Sequence, residues 1–160
     1  MKRFWSAAGV ALAVVGAPGL AGPASAGVPV PFFGSLAGVD TGTPIPNTQL
    51  ASVTVRAVGN ATQLGQFTYT ALITVNTATG EGSGTFLFTG ANGNTVFGTI
   101  RGQSTFRPPN VLSISETATV TGGTGRFAGA TGSLAVTRLK NTVTGATSAS
   151  FKGTISAPGP

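Results

Sequence analysis

From Gln49 onward the chain alternates apolar and polar side chains. Val53, Val55 and Ala57 are interleaved with Thr54 and Arg56, and Phe67, Tyr69, Ala71, Ile73 and Val75 with Thr68, Thr70, Leu72 and Thr74. Residues 86–88, 96–101, 112–120, 134–139 and 149–155 continue the pattern. A period of two, rich in Val, Thr, Ile and Phe, places successive side chains on opposite faces of an extended strand. Between the runs stand Gly59-Asn60, residues 79–82 (Thr-Gly-Glu-Gly), Asn92-Gly93-Asn94, residues 107–110 with two prolines, residues 122–125 and Thr144-Gly145. Gly and Asn tolerate the positive φ that tight hairpins demand. Past residue 26, no ten-residue window carries a 3.6-residue apolar stripe. The pattern predicts an all-β chain of about eight strands at hairpin spacing. An eight-stranded antiparallel β-barrel is favoured over an open sandwich. Closure removes exposed edges, which a Thr- and Val-rich sheet with few charges needs to stay soluble.

The N-terminal quarter reads differently. Residues 1–26 have the layout of a secretory signal peptide: Lys2 and Arg3, an uncharged apolar run over 4–15, breakers at Gly16, Pro18 and Gly19, and Ala24-Ser25-Ala26 as a small-x-small cleavage pattern. The run is too short and too broken for a spanning helix. Cleavage after Ala26 is expected to release a secreted chain with no membrane partner. Residues 27–47 carry Pro29, Pro31, Pro44 and Pro46, which rules out helix and interrupts ladders. They read as an extended arm with a first strand over 32–39, and residues 48–157 as the barrel domain. The whole is one domain's length of chain.

Charge is sparse. The formal net charge is +6, yet only 8% of residues are charged. Setting aside Lys2 and Arg3 leaves seven basic residues against Asp40, Glu81 and Glu116. No cluster of cations suits a nucleic-acid backbone. The chain contains no Cys and no His, so disulfides, thiol nucleophiles, imidazole bases and zinc sites of the usual ligands are excluded, and no metal or cofactor is expected.

The most unusual stretch is residues 121–133, Thr-Gly-Gly-Thr-Gly-Arg-Phe-Ala-Gly-Ala-Thr-Gly-Ser. Gly123-x-Gly125-x-x-Ala128 loosely imitates a dinucleotide fingerprint. That motif must open a helix and needs an acid about twenty residues on. Gly129 and Gly132 spoil a helix, no Asp or Glu follows Glu116, and there is no Gly-Lys-Ser/Thr for a P-loop. The structural reading is a barrel corner, with Phe127 plugging one end and Arg126 capping carbonyls or pairing with an acid.

The stretch resembles the Gly-Gly-Thr/Ser-Gly-x-Phe-x-Gly-Ala-x-Gly motif of the allene oxide cyclase and dirigent barrel superfamily, and more closely a group of secreted bacterial proteins with that calycin-like barrel. Residues 59–67 (Gly-Asn-Ala-Thr-Gln-Leu-Gly-Gln-Phe) are similar to that group's Gly-x-Ala-Thr-His-Leu-Gly-x-Phe signature. Residues 88–94 (Phe-Thr-Gly-Ala-Asn-Gly-Asn) are similar to its Thr-Ala-Ala-Asn-Gly-Asp hairpin. The resemblance implies an eight-stranded antiparallel barrel over residues 33–156. It also implies cofactor-free chemistry on reactive small molecules in the plant relatives, and a trimer. The signature His is Gln63 here and the hairpin Asp is Asn94, so no catalytic role transfers to either position.

Glu116 breaks pattern by sharing parity with Leu112, Ile114, Ala118 and Val120. A regular strand would point it into the lumen, where a carboxylate needs a partner or a raised pKa. Arg101, Arg126 and Arg138 are the possible partners. Glu116 is the only candidate for catalysis, either as an acid/base group or as a polar anchor. Parity nominates Phe67, Tyr69, Ile73, Phe86, Phe97, Leu112, Ile114 and Phe151 as lining residues. The ligand-binding set is Phe67, Tyr69, Ile73, Phe97, Arg101, Ile114 and Glu116. The favoured reading is a secreted, non-catalytic barrel that holds a small apolar molecule or none. The alternatives are a cofactor-free cyclase or isomerase, or a dirigent-like guide of a reactive molecule, and an extracellular structural protein.

Overall fold

The computed structural model describes residues 27–156 and 158–159; the expected leader, residues 1–26, lies outside them. Eight strands follow in order: β1 Pro29–Pro44, β2 Leu50–Ala61, β3 Gly65–Asn76, β4 Glu81–Gly90, β5 Thr95–Arg107, β6 Val111–Thr124, β7 Gly132–Asn141 and β8 Ala146–Ser156. Each pairs antiparallel with its neighbour, and β1 pairs with β8 to close the barrel. The all-β, eight-stranded antiparallel barrel expected from the alternation is the fold observed.

The first strand is longer than the prolines suggested. The expected segment 32–39 lies inside a 16-residue strand, and the anticipated arm is barrel wall. The register explains why the prolines are tolerated. Pairing with β2 begins at Gly34, whereas pairing with β8 begins at Pro29. The backbone N–H and C=O of Phe33 bond to Thr62, on the β2 side. Pro29 and Pro31 share that parity, so their missing N–H groups fall where no strand partner stands. Pro44 has the parity of Asp40, whose N–H faces the β8 side, and it lies beyond the last β8 pair at Val39.

Three further expectations shift. Gly59 and Asn60 belong to β2; the hairpin follows at Thr62–Leu64, with Gln63 at φ 65°. Gly122 and Gly123 belong to β6, and the turn begins at Gly125, φ 61°, in a single 3₁₀ turn over Gly125–Phe127. Phe97 points outward. On β5 the inward positions are Val96, Gly98, Ile100 and Gly102, and a bulge between Phe97 and Gly98 seats the Phe97 ring over Gly122 on the outer face.

The interior is apolar and the outer wall is rich in hydroxyls, as on β6, where Ser115, Thr117, Thr119 and Thr121 alternate with buried Ile114, Glu116, Ala118 and Val120. This polarity is opposite to that of a bilayer-spanning barrel. Among the described residues no helix is long and apolar enough to cross a membrane. The two halves of the lumen differ. At the end where β1 begins and β8 finishes, Phe32, Phe67, Phe86, Phe88, Phe151 and Tyr69 form one aromatic cluster. Phe88 is central, with ring centroids 4.9 Å from Phe67 and Tyr69 and 5.3 Å from Phe151. Phe127 is 2% exposed, in keeping with its expected role as a plug at this end. Arg126 fastens the tail rather than an acid: its Nε donates to the Gly159 carbonyl at 3.1 Å, and Gly159 N–H donates back to the Arg126 carbonyl at 2.7 Å.

Candidate functional site

The opposite end of the lumen is open. A cavity of about 300 Å³ enters between the β1–β2, β3–β4, β5–β6 and β7–β8 turns. Its apolar wall comes from Val53 on β2, Ile73 and Val75 on β3, Ile100 on β5, and Leu112 and Ile114 on β6. These are inward positions of regular strands, so the pleat that builds the barrel also builds the wall.

One side of the cavity is polar. Arg138 on β7 donates from Nε to Glu116 Oε2 at 3.1 Å and from Nη2 to Glu116 Oε1 at 2.7 Å, a bidentate pair across the β6–β7 ladder. Its Nη1 donates to Oδ2 of Asp40 on β1. Asp40 and Arg138 are 98 residues apart in sequence. Barrel closure brings them together across β8, where Ala149 faces Arg138 and its short side chain leaves room. Gly102 on β5 does the same for Glu116: a Cβ there would come within 2.5 Å of Glu116 Cγ. All three charged side chains are buried.

Two acids facing one guanidinium leave the group imperfectly matched. Asp40 Oδ1 is buried without a hydrogen-bond partner, and the neighbouring Thr147 hydroxyl donates to the Leu139 carbonyl at 3.2 Å. Burial pushes the Asp40 pKa above its ordinary 3.8, against the opposing pull of Arg138 and Lys140. Burial alone would lower Arg138, but the hydrogen bonds and charge of Glu116, with Asp40 behind them, hold it above its usual range. Tyr69 also feels the trio: burial first, and then the charge of Glu116, raise its pKa far above 10.0.

Of the predicted site residues, Ile73, Ile114 and Glu116 meet at the cavity, as does Leu112. Arg101 borders it, but its side chain is exposed on the outer face beside Ser83 and Thr117, so it does not pair with Glu116. Phe67 and Tyr69 point inward as expected, as do Phe86 and Phe151, but they belong to the aromatic cluster rather than to the cavity wall. Phe97 is outside the barrel. Asp40 was missed, although a signal existed. It continues the inward series Phe32, Leu36 at four-residue steps, and a strand ending at 39 stops one residue short of it.

Residues 121–133 are far from this chemistry. They form the β6–β7 corner at the packed end, together with the other two motif segments. Ala91 N–H donates to the Gln66 carbonyl at 2.9 Å, the Thr95 and Thr124 hydroxyls lie 2.7 Å apart, and Gly125 sits against Asn94. Among the described residues no group of His, Cys, Asp and Glu could hold a metal ion. No family model, no curated protein and no solved structure matches the chain.

Proposed function

We propose that the protein is a secreted carrier or sensor of a small apolar molecule, held in the open half of a barrel of the allene oxide cyclase and dirigent type. The observation that carries this reading is the cavity itself. Its 300 Å³ lies at the lower limit of ligand pockets, and it combines an apolar wall with a few convergent polar groups. At roughly 30 Å³ per heavy atom it takes a ligand of about ten non-hydrogen atoms. Secretion is supported by the layout of residues 1–26, and the family by the three motif segments meeting at one barrel end.

Binding is favoured over catalysis by the state of Glu116. Both of its oxygens accept from one guanidinium, so its charge is matched and it is poorly placed to take a proton from a substrate. A cofactor-free isomerase remains the second reading, because the same pair borders the cavity and could orient a polarised substrate. Native mass spectrometry of protein from its own source tests the first reading, with Ile114→Trp as a cavity-blocked comparison. A small adduct on the wild type that is lost in the variant is expected. Wild-type protein that carries no adduct and takes up no 1-octanol to its solubility limit contradicts binding. Turnover of a captured molecule, abolished by Glu116→Gln, favours the isomerase.

A further inference from the structure

The mouth of the cavity is asymmetric. On one side the β5–β6 turn (108–110) and the β7–β8 turn (142–145) stand side by side, joined by a hydrogen bond from Thr142 N–H to the Asn110 carbonyl at 2.9 Å. Phe106 is 54% exposed at the end of β5, and Val143 is 73% exposed at the tip of the second turn. The tip is pre-formed. Asn141 Oδ1 accepts from Val143 N–H at 2.9 Å and Thr144 N–H at 3.0 Å, and its carbonyl accepts from Gly145 N–H at 2.9 Å. The charges on this side are Arg107 and Lys140, both basic. The lip runs directly into the cavity wall, since Leu112 pairs with Phe106 on one side and Lys140 on the other. The other two turns, 45–49 and 77–80, carry Asn47, Thr48, Gln49, Thr77 and Thr79 along with Ile45, Pro46 and Ala78, with exposed Leu50 and Glu81 beside them; the second adjoins β5, where Ser104 N–H donates to the Gly80 carbonyl at 2.9 Å. Asp40 and Glu116 are buried and bound to Arg138, and the exposed acid at this end among the described residues is Glu81, which pairs with Gln103 on β5.

An exposed aromatic and an exposed aliphatic side chain, with Arg107 and half-buried Lys140 beside them, match an anionic lipid surface. Apolar tips enter the headgroup region while Lys and Arg meet the negative surface potential. We propose that this lip docks peripherally on anionic membranes, so that the cavity mouth opens onto the lipid phase. This departs from the expectation of no membrane partner. Docking does not depend on the cavity reading; its purpose does, because an apolar cargo would then pass between bilayer and barrel without crossing water.

Co-sedimentation of the purified protein with vesicles of phosphatidylcholine alone, or mixed with phosphatidylglycerol, tests the proposal. Binding is expected to the mixed vesicles, to weaken with added salt, and to fall about fivefold for each of Arg107→Gln and Lys140→Gln. Val143→Asp should abolish it, and Thr48→Ala, on the opposite turn, should not change it. Circular dichroism confirms folding of each variant, and Phe106→Ser serves as the second lip variant. The proposal is overturned by absence of vesicle binding, by equal binding to both lipids without charge dependence, or by binding that survives Val143→Asp, as leader-driven insertion would. A dimer in solution that disappears in Val143→Asp, without vesicle binding, would instead assign the lip to a second copy. Failure of docking leaves 1-octanol uptake unaffected, so the two readings fail separately.

Discussion

The two ends of this barrel use the same strands for different purposes. At the packed end, six aromatic rings and Phe127 fill the lumen, and all three motif segments lie there. At the open end the inward residues are branched aliphatics around a cavity, and a buried Arg138–Glu116–Asp40 trio takes the place that rings occupy at the other end. Interiors are close-packed, so the packed end has little room to change and provides stability. Buried ion pairs are poor stabilisers, because desolvation offsets their attraction. The trio is therefore better explained by what faces the cavity than by what holds the barrel. The motif marks the end that builds the fold, and the chemistry sits at the end that carries no motif.

Substitutions should separate the ends. Phe88→Ala removes the ring at the centre of the cluster and should cost about 3–5 kcal/mol in urea unfolding while the open end remains intact. Arg138→Met leaves two buried carboxylates uncompensated and should cost about 3 kcal/mol. The triple change Asp40→Leu, Glu116→Leu, Arg138→Met should be neutral or stabilising, since no buried charge is left unmatched. A triple variant less stable than Arg138→Met would mean that the trio supports the fold.

The pH dependence is a finer test. Asp40 has a folded pKa raised by burial above its unfolded 3.8, so between these values the native state holds the extra proton. Its contribution to stability is then greatest below pH 3.8 and is lost as pH rises through the folded pKa. Unfolding free energies measured from pH 3 to 8 should show this fall, and Asp40→Asn should remove that part of the slope. The smallest effect belongs to the outer wall. Leu72, 56% exposed, should tolerate Thr within about 0.5 kcal/mol. A larger loss in unfolding free energy would indicate that the outer face is covered.

Strand number and antiparallel order were legible because most strands carry a period of two, as β2, β3 and β6 do, and Glu116 stood out as a charge on an apolar parity. Phe97 misled for a physical reason. Inward Gly98 and Gly102 contribute no apolar side chain, so the inner face of β5 has a weak apolar signal and Phe97 is the large apolar side chain that stands out beside it. Prolines in β1 looked like breaks because the register that leaves their nitrogens unpaired appears only once the barrel closes. The trio was half visible: Arg138 was one of three possible partners, but its bridge to Asp40 depends on closure between the first and last strands. That pairing has no local signature.

The central claim is that the open half alone admits a ligand. Methyl NMR with labelled isoleucines during titration with 1-octanol tests it directly. Ile73, Ile100 and Ile114 line the cavity, whereas Ile155 is fully buried at the packed end. The account predicts saturable shifts in the first three and none in Ile155. Shifts in Ile155, or no saturable shift at any of the four, would contradict it.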